Sequence, residues 1–178
     1  NIIQIGFIGT GFAAHFHYAG YHRVYGVPLR VVGVHSKTEK NREAFAAKHG
    51  IRAFKTAEEL IEAVDVVDVC SSAYTHEEYV IQALQAGKHV VVEKPFTGYY
   101  GPEGDKGFRG NIFPKQVMLK EALASCDRIL AAERASGKKL MYAENWVYAP
   151  AIQKEREILV KTKGQILWML GEESHSGS

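Results

Sequence analysis

The strongest constraint on this chain is its rhythm, in which short apolar runs alternate with helical stretches from the first residues onward. "IIQIGFIG" reads as a buried strand, followed by a helix from about Phe12 to Tyr25. "LRVVGVHS" is a second strand, and the next helix, about Glu39 to His49, meets Gly50, a suitable left-handed cap. After "IRAFK", the third strand, Thr56 and Glu59 have capping-box spacing and open a helix to about Val64. "VVDVCSS" is continuous enough to be a strand buried on both faces. Thr75 and Glu78 repeat the capping-box spacing before a helix from His76 to Ala86. "HVVVEKP" is a fifth strand, ended by Pro95. A long helix from Gln116 to Ser136 follows, with Leu119, Leu123, Cys126 and Leu130 on one face. "KLMYAENWV" is a sixth strand, and Pro150 opens a last helix.

Strict alternation with short connections implies a parallel sheet covered on both faces. The expected fold class is therefore α/β, a doubly wound, Rossmann-like sheet. Residues 96–115 break the rhythm: glycine recurs at every third position from Gly98 to Gly110, with no helix or strand period. Collagen shares that spacing but needs three chains and far more proline. Tyr99, Tyr100, Phe108 and Phe113 offer apolar surface, so a lid or subunit contact stands beside a mobile surface loop as a reading. At the other end, "QILWMLG" reads as a strand with nothing left to pair with, which suggests an incomplete chain.

Composition narrows the function classes. The net charge of +2, with both signs interspersed, gives no reason to expect nucleic acid or a membrane surface. No apolar run approaches the roughly 18 residues needed to span a bilayer, and no signal peptide is visible. The two cysteines, Cys70 and Cys126, have no metal-like spacing, and a reducing cytoplasm is the expected location. No metal site is expected, because the eight histidines form no HExxH or His/Cys cluster.

The first turn carries the chemistry. In "IGFIGTGFAAHFH" a glycine at Gly9 permits the sharp strand-to-helix turn, and one at Gly11 lets the backbone approach a pyrophosphate. Ala14 stands where the third glycine of the fingerprint falls and is small enough for close helix–strand packing. Gly9, Thr10, Gly11, Phe12 and Ala14 are thus cofactor-binding candidates, with N–H groups at the helix start facing the phosphates. The second strand ends "VHSKT", without the acidic residue that would hold a ribose 2′-hydroxyl. Ser36 and Lys37 suit a 2′-phosphate better, which favours NADP over NAD; alternatively Lys37 is solvated and His35 meets the ribose. Glu93 and Lys94 lie at the carboxyl end of the fifth strand, the edge where open α/β sheets bind ligands. A lysine there can polarise a hydroxyl or move a proton. His76 opens a helix on the same edge, where it lines the cleft, caps the helix or lies on the surface.

"GFIGTGFAAHFH", "THEEYVIQALQAGKHVVVEKP" and "MYAENWVYAP" together resemble the Gfo/Idh/MocA family of oxidoreductases. The "AGKHVVVEKP" run is the specific part. The resemblance implies a nicotinamide-dependent dehydrogenase acting on a hydroxyl of a sugar, cyclitol or glycoside. It makes Lys94 the catalytic lysine of the EKP motif and puts Glu93 by the nicotinamide ribose. It also puts Ser71, Ser72, His76 and Asn145 among the residues of the cofactor cleft. The family's Thr-Pro-Asn run is here Ser71, Ser72, Ala73, and its arginine after the asparagine is Val147. These departures bear on the substrate more than on the cofactor.

Family members carry a second domain that supplies a histidine acid/base. The resemblance then divides the chain into a dinucleotide-binding domain over 1–148, with the inserted loop 96–115, and the start of an incomplete α+β substrate domain over 149–178. Of that domain only its first strand, about Gln165 to Gly171, is expected. The chain alone is expected to bind NAD or NADP but to turn over little substrate. The expected partners are a sugar-like small molecule and, at full length, further copies of the chain. The alternative is a non-enzymatic dinucleotide-binding sensor or assembly module.

Overall fold

The structure, a computed structural model, describes residues 1–172; Glu173 and His175 of the tail lie outside the described residues. Six strands, β1 (Ile3–Ile8), β2 (Leu29–His35), β3 (Arg52–Phe54), β4 (Val66–Val69), β5 (His89–Val92) and β6 (Leu140–Tyr142), form one sheet. Its helices are α1 (Phe12–Tyr21), α2 (Glu39–His49), α3 (Ala57–Glu62), α4 (His76–Gln85) and α5 (Lys115–Ser136). The strand order is 3-2-1-4-5-6 and every pairing is parallel. The order reverses between β1 and β4, where doubly wound sheets leave a crevice at their carboxyl edge.

Adjacent residues of a strand point to opposite faces, so β1 feeds two cores. Phe7 packs with Ala14, Val34, Phe45 and Cys70 under α1 and α2. Ile8 packs with Leu60, Val67, Val69, Val80, Leu84, Val90 and Ile129 under the helices of the other face. Ala14 is fully buried against β1, the close helix–strand packing that a small residue permits.

Several local expectations are corrected. The first helix ends at Tyr21, four residues early, with the poor helix former Gly20 in its last turn. One leg of the Thr56–Glu59 box forms, Glu59 donating its N–H to the Thr56 hydroxyl at 3.2 Å, while the Glu59 carboxylate accepts from the Lys55 N–H at 3.1 Å rather than from that of Thr56. The Thr75–Glu78 box does not: Thr75 gives its hydroxyl hydrogen to the Ser72 carbonyl at 2.7 Å, because a single 3₁₀ turn, Ala73–Thr75, leads into α4. On α5 the buried positions are Ser125 and Ile129, while Leu119, Leu123 and Leu130 are exposed. The loop 96–115 carries a small core of its own. Tyr99, Phe108 and Phe113 form a triangle with ring centroids 5.3–5.5 Å apart.

The chain divides into two compact units, Asn1–Ala143 and Glu144–Ser178. The sixth strand stops at Tyr142, and Asn145–Val147, expected within it, belong to a 3₁₀ turn of the second unit, Asn145–Tyr148. That unit contains α6 (Pro150–Thr162), with proline in the first turn, where its missing N–H costs nothing. The strand expected at Gln165–Gly171 is not formed. A strand needs a neighbour for its backbone groups, and Leu167, Trp168 and Met169 are exposed instead.

Candidate functional site

At the switch between β1 and β4 lies a cavity of about 530 Å³. The turn after β1 supplies Gly9, Thr10, Gly11, Phe12 and Ala13; the end of β2 supplies His35, Ser36, Lys37 and Thr38. Cys70, Ser71, Ser72, Tyr74 and Thr75 follow β4, with Asn41 from α2 and Tyr79 from α4.

The two glycines of the turn do different work. Gly9 has φ +114°, and an added Cβ would lie 2.5 Å from the Cys70 carbonyl. Here backbone meets backbone, and only glycine fits. Gly11 is the residue before α1, at φ −77°, and an added Cβ meets nothing within 4 Å. Among the described residues no side chain caps α1, so its first N–H groups are left for a ligand.

At the other end, Lys37 is exposed, with its ammonium 5.9 Å from the centre of the Tyr79 ring. His35 is buried, its Nδ1 3.2 Å from the Phe54 carbonyl oxygen. Asn41 and Tyr79 were not among the sequence candidates; their signal was positional only, one on each helix flanking the cleft.

His76 is corrected. It does not line the cavity: it is 1% exposed, with Nδ1 2.9 Å from the Pro95 carbonyl oxygen and Nε2 3.1 Å from that of Ser71. It ties the loop after β4 to the loop after β5 and thereby fixes the stretch that carries Ser71 and Lys94. Glu93 and Lys94 directly follow β5, Glu93 half-buried and Lys94 exposed. Asn145 belongs to the second unit and is exposed.

Sequence reasoning missed one cluster altogether. The Asp68 carboxylate is wholly buried on β4 and lies 2.9 Å from His17 Nδ1. It also accepts hydrogen bonds from the Tyr21 hydroxyl at 2.8 Å and the Cys70 thiol at 3.2 Å. His17 Nε2 lies 3.5 Å from Glu93 Oε1. The hydrogen bond to Asp68 raises the His17 pKa above its ordinary value against the opposing effect of burial, and the charges of Asp68 and Glu93 add to the rise. Burial, with the Asp68 charge alongside, pushes the Tyr21 phenol and the Cys70 thiol up. His17, Asp68 and Cys70 place potential metal-ligand atoms within 4.8 Å of one another, and hydrogen bonding accounts for their approach. The aspartate inside "VVDVCSS" was the signal; its partner is 51 residues away.

A parallel sheet in this order, with a glycine turn opening on its switch point, defines a doubly wound dinucleotide-binding fold. Residues 3–101 match the family Gfo/Idh/MocA, described as "Oxidoreductase family, NAD-binding Rossmann fold". The chain belongs to this family. Its relatives include a glucose-6-phosphate 3-dehydrogenase of Bacillus subtilis, 36% identical over 53% of this chain and 26% of that protein. An inositol 2-dehydrogenase of Paracoccus denitrificans is 28% identical over 96% of this chain and 55% of that protein. In fold the chain is similar to a UDP-N-acetylglucosamine 3-dehydrogenase from Acidithiobacillus ferrooxidans, with TM-score 0.70 and 23% identity over 89% of this chain and 44% of that one. The chain thus spans about half or less of the proteins it matches.

Proposed function

We propose that this chain is the dinucleotide-binding half of an NAD(P)-dependent dehydrogenase that moves a hydride between a sugar, cyclitol or glycoside hydroxyl and a nicotinamide. The observation that carries this reading is the open space at Gly11, beside uncapped N–H groups at the mouth of the switch-point cavity. A pyrophosphate fits that space and those donors. Glu93 and Lys94 emerge from β5 at the same carboxyl edge, where a hydroxyl would meet the nicotinamide. In this reading Lys94 takes or returns the hydroxyl proton as the hydride moves, and Glu93 receives the nicotinamide-side ribose. Ser36 and Lys37 face the adenosine ribose and favour a 2′-phosphate. Residues 149–178 begin a substrate domain, and the chain alone turns over little substrate. A cytoplasmic location agrees with two unpaired cysteines.

The test is a titration with NADH and NADPH of the parent and of Gly11→Val. The substitution meets no protein atom within 4 Å at its Cβ, so the melting temperature should stay near the parent's. Affinity for both dinucleotides should fall by about tenfold or more. Unchanged affinity would remove the turn from the binding site. Lys37→Ala should weaken NADPH selectively if Lys37 holds the 2′-phosphate.

A further inference from the structure

A buried carboxylate on a central strand is costly unless its oxygens find donors. The Asp68 carboxylate finds them in Tyr21, Cys70 and His17. The same imidazole reaches the ligand edge, where its Nε2 lies 3.5 Å from Glu93 Oε1. One ring therefore spans from a carboxylate in the core to a carboxylate beside Lys94.

The two ring nitrogens are not equivalent. With Nδ1 against Asp68, the neutral ring carries its single hydrogen there. Nε2 carries a hydrogen only in the charged ring. In that form the ring is positive and attracts the Glu93 carboxylate 3.5 Å away; in the neutral form that attraction is lost. Among the described residues, the titratable groups that face the ring are Asp68 and Cys70 on and just after β4 and Glu93 after β5, with Tyr21 on its own helix bonded to the same Asp68 carboxylate. Tyr21 and Cys70 keep their protons, both being pushed upward by burial. The two carboxylates are the charged neighbours.

We propose that His17 is a positioning residue for Glu93: with a proton on Nε2 it holds the Glu93 carboxylate toward the nicotinamide-side ribose of a bound dinucleotide, and loss of that proton releases it. The inference rests on the dinucleotide reading above. Dinucleotide affinity then falls as the pH rises through the His17 midpoint. By linkage, a bound dinucleotide must raise that midpoint by the same factor.

The experiment uses the 178-residue chain itself. NADH is titrated across the neutral pH range, with NADPH in its place if NADPH binds more tightly. The His17 ring is followed by NMR with and without saturating dinucleotide. We expect affinity to fall about fivefold across the His17 midpoint, and the midpoint to rise by the matching factor on saturation. Glu93→Gln should abolish that rise. If the rise persists in Glu93→Gln, it is a through-space effect of the dinucleotide's charge and the positioning role is overturned. The role is also overturned, with the dinucleotide reading intact, if a dinucleotide binds with an affinity indifferent to the His17 proton. If neither dinucleotide binds, both readings fall. The parent chain alone decides the linkage, so a variant that fails to fold does not shield the proposal.

Discussion

His15 and His17 stand two residues apart on α1, on different faces, and their surroundings push them in opposite directions. His17 turns inward to a buried carboxylate, and its proton is held. His15 turns to α2, where its Nδ1 lies 2.8 Å from His49 Nε2, with Phe45 and Tyr18 stacked around the pair. Partial burial, then the Lys48 charge, lowers the His15 pKa; partial burial, then His15, Lys48 and His22, lowers that of His49. The shared hydrogen bond between the two rings needs one nitrogen without a proton, whereas the Asp68 contact is strengthened by one. Residue type and helix are the same and burial lowers both rings, so the opposite sign at His17 comes from the buried acid it meets and His15 lacks.

The sharpest way to break this contrast is to remove the buried acid. Asp68→Ala should cost about 3 kcal/mol in urea unfolding, since it strands the Tyr21 hydroxyl and the His17 ring without their acceptor. A cost under about 1 kcal/mol would mean that the cluster is incidental.

The next test reads stability against pH. Below the ordinary histidine value of 6.5, the contribution of the raised His17 is fully present. It is lost as the pH rises from there through the native value, because the unfolded chain gives up its proton first. For the lowered pair, His15 and His49, stability is complete above 6.5 and declines as the pH falls toward their native values, because the unfolded chain takes up protons first. Together these groups put a stability maximum near pH 6.5. Asp68→Asn should flatten the alkaline limb, and His49→Gln should shrink the acid limb to the part that His15 contributes, each leaving the other limb in place. Loss of both limbs in one variant would show that the two clusters are coupled.

The smallest expected effect is His49→Gln at neutral pH, within about 0.5 kcal/mol by thermal unfolding, because this pair sits near solvent and glutamine retains a donor. A loss as large as that of Asp68→Ala would erase the distinction between the two clusters.

What the sequence made legible follows the range of the interactions. The sheet and its glycine turn could be read because strand–helix alternation and fingerprint spacing are properties of neighbouring residues. Thr56 caps its helix through the Glu59 N–H as their spacing predicts, since both groups lie within one turn, although the Glu59 carboxylate returns to the Lys55 N–H instead of that of Thr56. Thr75 fails the same rule because the Ser72 carbonyl competes for its hydroxyl after a tight turn that the spacing does not encode. Gln165–Gly171 alternates like a strand, but alternation without a pairing partner leaves the backbone unsatisfied. In the site, Ser36, Lys37, Ser71 and Ser72 line the cavity because strand ends are readable. His76 was placed on the correct edge but is locked inward by two carbonyls that only the folded chain brings together. Asp68 was passed over inside an apolar run read as a continuous buried strand, because its role depends on His17, 51 residues away.

The ring triangle in the glycine-spaced loop has a mechanical consequence. Tyr99, Phe108 and Phe113 each touch the other two, so deleting any one ring removes two of the three contacts. A segment without regular hydrogen-bonded structure is in this way clasped by three aromatic side chains, and one of its glycines shares in the clasp: Gly101, at φ +97°, has the Phe108 side chain 2.5 Å from where its own Cβ would stand.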